Sequence, residues 1–261
     1  MAYDKVIDSA TLDAGMAATA NAIREKTGQT GAIPWENDKG FSAAVAGNQV
    51  GGGSVGESHL DYMTGLYMAF NGVAFEDGTD LVLNLGAKTN VAAANPLYAC
   101  FYNAKGLKSI TIICKNDPGD AITYQNFARM SQEEYTLEKI DLTGAPYFLR
   151  VSHMGRAFEY RQSLREILGE FDMTKCSSIG SIAAQCKALE TISFKAGTIM
   201  KSISFIDCSK LTDETIQSII DGLADLSGGT AQTLTLHATV GAKLTDAQKA
   251  AASAKNWTIS Y

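Results

Sequence analysis

Ser178-Ile-Gly-Ser-Ile-Ala-Ala-Gln-Cys186-Lys-Ala-Leu189-Glu-Thr-Ile192-Ser-Phe194 is the stretch whose reading decides the fold. Its last part, Leu189-x-x-Ile192-x-Phe194, alternates apolar and polar side chains as a half-buried strand does. The same ending recurs at Leu107-Lys-Ser-Ile110-Thr-Ile112, Leu137-Glu-Lys-Ile140-Asp-Leu142 and Leu164-Arg-Glu-Ile167, and a variant of the stretch runs from Phe205 to Leu211. The frame leucines Leu107, Leu137, Leu164, Leu189 and Leu211 are 30, 27, 25 and 22 residues apart. A recurrence at that period is the signature of a stacked repeat architecture. A short strand cannot bury its apolar face alone, so Ile110 and Ile112, Ile140 and Leu142, and Ile192 and Phe194 are expected to stack on their equivalents in neighbouring turns.

Ahead of each frame leucine stand small or aromatic residues and then Ala or Cys: Phe101 with Ala104, Phe127, Ala157-Phe158, Ala183-Ala184 with Cys186, and Phe205 with Cys208. These read as the return side of each turn, with Cys186 and Cys208 as small apolar fillers of equivalent slots. The Leu137 turn lacks the Cys, and the Leu164 turn carries Tyr160 and Arg161 near that place, which leaves the turn boundaries there open.

The pattern Ser-Ile-Gly-x-x-Ala-x-x-Cys-x-x-Leu-x-x-Ile-x-Phe resembles the BspA-type leucine-rich repeat. That resemblance implies an α/β repeat fold, a right-handed solenoid of stacked short strands over residues 96–261. The stretch from Cys208 through Lys243-Leu-Thr-Asp-Ala-Gln-Lys to Asn256-Trp-Thr-Ile-Ser-Tyr261 is similar to the closing segment of leucine-rich-repeat proteins encoded by phages and prophages of gut bacteria. Thr212 or Asp213 is placed to cap a helix carrying Ile216, Ile219, Ile220 and Leu223 at helical spacing, and Thr245 to cap an alanine-rich second helix. Strands at Thr233–Leu236 and Trp257–Tyr261 are expected to finish the sheet, with the last helix closing its open end.

Residues 1–50 differ in kind. Leu12, Met16, Ala20 and Ile23 share one face of a helix stopped by Gly28, and a second short helix is expected from Gly40 to Ala46, with Phe41 on its apolar side. Residues 51–56 are a glycine-rich linker by composition, and 57–95 connect it to the repeats, with Leu81-Val-Leu-Asn-Leu as a first rung. Two such helices are too little material for an independent core, so their apolar face needs a partner. Ala22-Ile-Arg-Glu-Lys-Thr-Gly28 followed by Gly40-Phe-Ser-Ala-Ala-Val is similar to the N-terminal attachment region of phage tail, baseplate and fibre proteins of Firmicutes phages. An ordinary amphipathic helix packed on its own repeats is the alternative.

The chain has 261 residues, a net charge of −6 and scattered basic residues, so nucleic-acid binding is not expected. No apolar run reaches the length of a membrane span, no signal peptide is evident, and five cysteines without paired spacing fit a reducing compartment. His59, His153 and His237 have no ligand at metal spacing, and Glu76–Asp80 and Asn116–Asp120 read as turns rather than calcium loops. Glu133-Glu134 and Glu138 with Asp141 read as solubilising charges rather than a catalytic pair. No catalytic residue, metal or cofactor is expected.

The resemblances imply a non-enzymatic virion protein of a phage tail, baseplate or fibre. Its N-terminus would dock on other virion subunits, its repeats would meet a host-surface glycan or protein, and the assembly would be a trimer or hexamer. Tyr124, Tyr135, Tyr147, Phe148 and Tyr160 are the candidate receptor contacts, with core filling as the alternative for each. A bacterial leucine-rich-repeat adhesin or scaffold outside any virion is the alternative function.

Overall fold

The computed structural model describes residues 54–55, 70, 72–86, 100–114, 122–123 and 136–261. The fold is α/β, built on a parallel six-stranded sheet: β1 (Ser54–Val55), β2 (Ala74–Gly86), β3 (Lys105–Cys114), β5 (Lys139–Asp141), β7 (Glu166–Phe171) and β8 (Thr191–Phe194), in that order. Two further strands, β4 (Ile122–Thr123) and β6 (Val151–His153), pair parallel in a small second ladder. Parallel neighbours cannot be joined by a tight hairpin, so each rung requires a full return of the chain.

The register follows the leucine frame. Ile110 pairs with Ile140, 30 residues on; Ile140 pairs with Ile167, 27 on; Glu166 pairs with Thr191, 25 on. Leu81 pairs with Ile110 and Leu83 with Ile112, so the Leu81 segment is a rung and the sheet reaches upstream of residue 96. Ser54–Val55, within the stretch read as a linker, lies beside Val82–Leu83 as β1. The return segments pair at similar intervals of 30, 24 and 24 residues: Gly72 N–H donates to Tyr102 O (2.8 Å), Met154 N–H to Ser178 O (2.8 Å) and Phe158 N–H to Ile182 O (3.0 Å).

The core lies on one side of this sheet. Leu81, Leu83, Ile110, Ile112, Ile140, Leu142, Ile167 and Ile192 are buried, as are all five frame leucines. Phenylalanines run through it: ring centroids are 6.3 Å apart for Phe158 and Phe171, 6.2 Å for Phe171 and Phe194, and 6.2 Å for Phe194 and Phe205. Each such ring withdrawn from water contributes roughly 1.5–3 kcal/mol, which is what a three- to six-residue strand lacks by itself.

After β8 the pattern changes. Leu211 keeps the frame, but Thr212 accepts a hydrogen bond from Thr215 N–H through its side chain and starts helix α1 (Asp213–Gly222), whose first turn carries Asp213 and Glu214. Ile216, Ile219 and Ile220 bury its inner face. Lys255 Nζ donates to Ile220 O (3.1 Å) and Asp221 O (3.2 Å), satisfying carbonyls at the far end. Helix α2 (Ala238–Gly241) is a single turn, and α3 (Asp246–Ala254) begins with a capping box between Thr245 and Gln248.

The closing strands form a separate sheet, correcting the expectation that they complete the first. β9 (Ile203–Phe205), β10 (Gln232–Leu236) and β11 (Trp257–Ser260) are parallel, in the order β11-β10-β9. The reason is local: α1 occupies the place a strand would take beside β8. Trp257 is fixed by its indole N–H on Ala224 O at 2.9 Å, and Asn256, at φ 63°, donates its side-chain amide to Leu226 O and Gly229 O at 3.0 Å each. The last helix lies against β11 and beside α1, where Gln248 Nε2 donates to Gln217 Oε1 at 3.0 Å.

Candidate functional surface

The strands that bury Ile110, Ile140 and Ile167 turn their alternate side chains outward. The register lines up Asp80, Ser109, Lys139, Glu166 and Thr191 in one row across the sheet, and Thr111, Asp141 and Leu168 in the next. Most of these side chains are half-buried, so the face is a shallow polar surface carrying hydroxyls and charges of both signs.

Neighbouring rungs are tied across it. Ser109 Oγ donates to Asp80 Oδ1 (2.6 Å), and Arg165 grips Glu190 through two hydrogen bonds of 3.2 and 3.0 Å. Lys195 Nζ meets Asp172 Oδ2 at 3.0 Å. Asp141 ends β5 and Asp172 directly follows β7, and each accepts the N–H of the residue two positions on, Thr143 (3.1 Å) and Thr174 (3.0 Å). Partial burial alone would raise both carboxyls. The Thr143 hydroxyl and amide with Lys139 hold Asp141 below its ordinary range, and Thr174 with Lys195 does the same for Asp172.

Where α1 meets the end of β8, an open groove of about 590 Å³ is lined by Glu170, Phe194, Ala196, Asp213, Glu214, Gln217, Ser218 and Asp221. Four of these are carboxylates. Among the described residues no group of three or more His, Cys, Asp or Glu side chains is arranged to hold a metal ion.

The sequence-predicted residues are distributed unevenly. Leu12, Met16, Ala20, Ile23 and Phe41 lie outside the described residues, as do Tyr124 and Tyr135. Tyr147 and Phe148 are core, 3% and 0% exposed, which corrects their reading as receptor contacts. They sit on a 3-10 turn, Pro146–Leu149, that swings both rings inward, 5.4 Å apart. Tyr160 is half-buried in a left-handed backbone position (φ 65°), where its N–H donates to Ala184 O at 2.8 Å. Among the described residues the outer face of the sheet carries hydroxyls and charges rather than aromatic rings.

The slot three residues before each frame leucine also departs from expectation. Ala104, Cys186 and Cys208 fill it as small residues, but Arg161 fills it in the Leu164 turn at 1% exposure. Cys186 Sγ donates to Phe158 O (2.8 Å) and Cys208 Sγ to Ala183 O (3.6 Å), so each thiol closes on the preceding turn. Burial pushes Cys176 up to about 11 and Cys186 up to about 12, and raises Cys208 further; these thiols are structural.

Comparison with known family models, with curated proteins and with solved structures finds no match for this chain. Among the described residues no helix is long and apolar enough to cross a membrane.

Proposed function

We propose that this chain is a non-enzymatic structural protein of a phage virion, belonging to the tail, baseplate or fibre. In this reading residues 1–50 dock on other virion subunits, and residues beyond them form a right-handed leucine-rich-repeat solenoid of BspA type that is displayed for host-surface binding. The observation that supports it most is the agreement of two intervals: strand partners recur 30, 27 and 25 residues apart, as the frame leucines do. One polar side chain from each strand then lines up into a row that gives an extended surface for contact.

The proposed receptor-binding surface is the row from Asp80 through Ser109, Lys139 and Glu166 to Thr191, where hydroxyls and paired charges offer hydrogen bonds to a host-surface glycan or protein. The resemblance of Ala22–Gly28 to phage attachment regions supports the virion side of the proposal. Deleting residues 1–50 tests it: the truncated chain is expected to keep its far-UV spectrum and to be missing from assembled particles. Normal incorporation of the truncated chain would overturn the docking role.

A further inference from the structure

Among the described residues the second sheet ends at β11, whose one ladder partner is β10. Gln232 N–H donates to Asn256 O at 3.3 Å, so the even-numbered backbone groups of this strand face β10 and those of Trp257 and Ile259 face away. No described residue takes up the outward N–H of Ile259. Exposed edges are ordinarily blunted by charge, proline or a bulge. Trp257-Thr-Ile-Ser-Tyr261 has no charged side chain and no proline, and its register against β10 is unbroken.

The side chains point to what covers this edge. Trp257 is buried and Ile259 half-buried, whereas Tyr261, next in the same alternation, is 58% exposed. Gly241 makes room for that ring, since a Cβ there would lie 2.1 Å from Tyr261 Cγ. The alternate positions thus read aromatic, aliphatic, aromatic in either direction about Ile259, and Thr258 and Ser260 put a hydroxyl on each side of it.

We infer that this edge is a homotypic interface, on which a second copy of this chain lays its own β11 antiparallel across a two-fold axis through Ile259. The two Ile259 residues exchange both N–H···O bonds, Trp257 of one copy stands opposite Tyr261 of the other, and Thr258 stands opposite Ser260. A strand without charged side chains meets itself without side-chain repulsion, and the two-fold makes the same patch serve both copies. The result is a six-stranded sheet continuous through a dimer. This inference does not rest on the virion reading.

The test uses the full chain. Ile259→Pro removes the outward N–H and leaves the β10 ladder untouched, because the Ile259 amide does not face β10; Ile259→Val keeps the donor. Light scattering is expected to give wild type and Ile259→Val the same mass and Ile259→Pro half of it, with the near-UV tryptophan spectrum preserved. Amide exchange at Ile259 is expected to be slow in the wild type and to quicken on dilution. Equal masses for wild type and a folded Ile259→Pro, or an Ile259 amide that exchanges freely in the wild type at high concentration, would overturn the interface. If Ile259→Pro does not fold, the exchange measurement on the wild type decides alone.

Discussion

The backbone N–H of Phe194, on the last strand of the six-stranded sheet, donates to the side-chain oxygen of Ser218 on helix α1 at 3.0 Å. Thr215 Oγ1 donates to Glu190 O at 2.9 Å one turn earlier. Two helix hydroxyls, 24 and 25 residues beyond their partners, thus do for the edge of β8 what the next strand would have done. The spacing between bonded partners stays close to that of the neighbouring strands across the change from strand to helix, while the sheet itself stops at β8.

Ser218→Ala leaves the Phe194 N–H without that acceptor, at a cost of about 1–3 kcal/mol. The urea midpoint should fall with an unchanged slope. Ser218→Thr, which retains a hydroxyl, should recover most of the loss.

Phe194 also joins the two sheets, its ring 6.2 Å from Phe171 on one side and 6.2 Å from Phe205 on the other. Phe194→Ala is predicted to destabilise by about 3–5 kcal/mol, a larger loss than any single surface ion pair can produce. Calorimetry comparing it with Arg165→Gln separates the two, and the smaller Arg165 effect should vanish in 1 M salt because that pair is exposed.

Acid should loosen the strand ends. Asp172 is held below its ordinary carboxyl range in the fold, so its contribution is present above the unfolded value and is lost as pH falls through the folded one. Asp172→Asn should lower the melting temperature at neutral pH and flatten its decline in acid. Lys195→Met should weaken the same dependence, because Lys195 is the cation on that carboxylate.

The thiols Cys176, Cys186 and Cys208 are buried and hard to ionise, and Cys100 and Cys114 are buried as well. A thiol reagent at pH 8 should label Cys176, Cys186 and Cys208 only as fast as the chain unfolds. Rapid labelling of the native chain at Cys186 would contradict its place in the core.

The rungs were legible because strand alternation and the leucine interval report the same thing: Leu189-x-x-Ile192-x-Phe194 predicts β8, and Thr212 and Thr245 predict two helix starts. The split into two sheets was not legible, because Leu211 keeps the frame while Thr212 turns the following residues into a helix. Arg161 stands near the slot in the sequence but could not be assigned to it, because a guanidinium in a column of Ala and Cys runs against hydropathy. For Tyr147 and Phe148 the sequence left contact and core filling open, because an aromatic ring in an irregular turn suits either; the 3-10 turn carries both rings in the core. The polar rows of the sheet face follow from alternation, but which rungs lie side by side emerges only from the register.

The proposed function is tested most directly by quantitative mass spectrometry of phage particles purified from the host that carries this gene. The account predicts peptides from across residues 70–261 at a fixed ratio to the known tail proteins, retained after a high-salt wash. Particles complete in tail proteins and free of these peptides would contradict it.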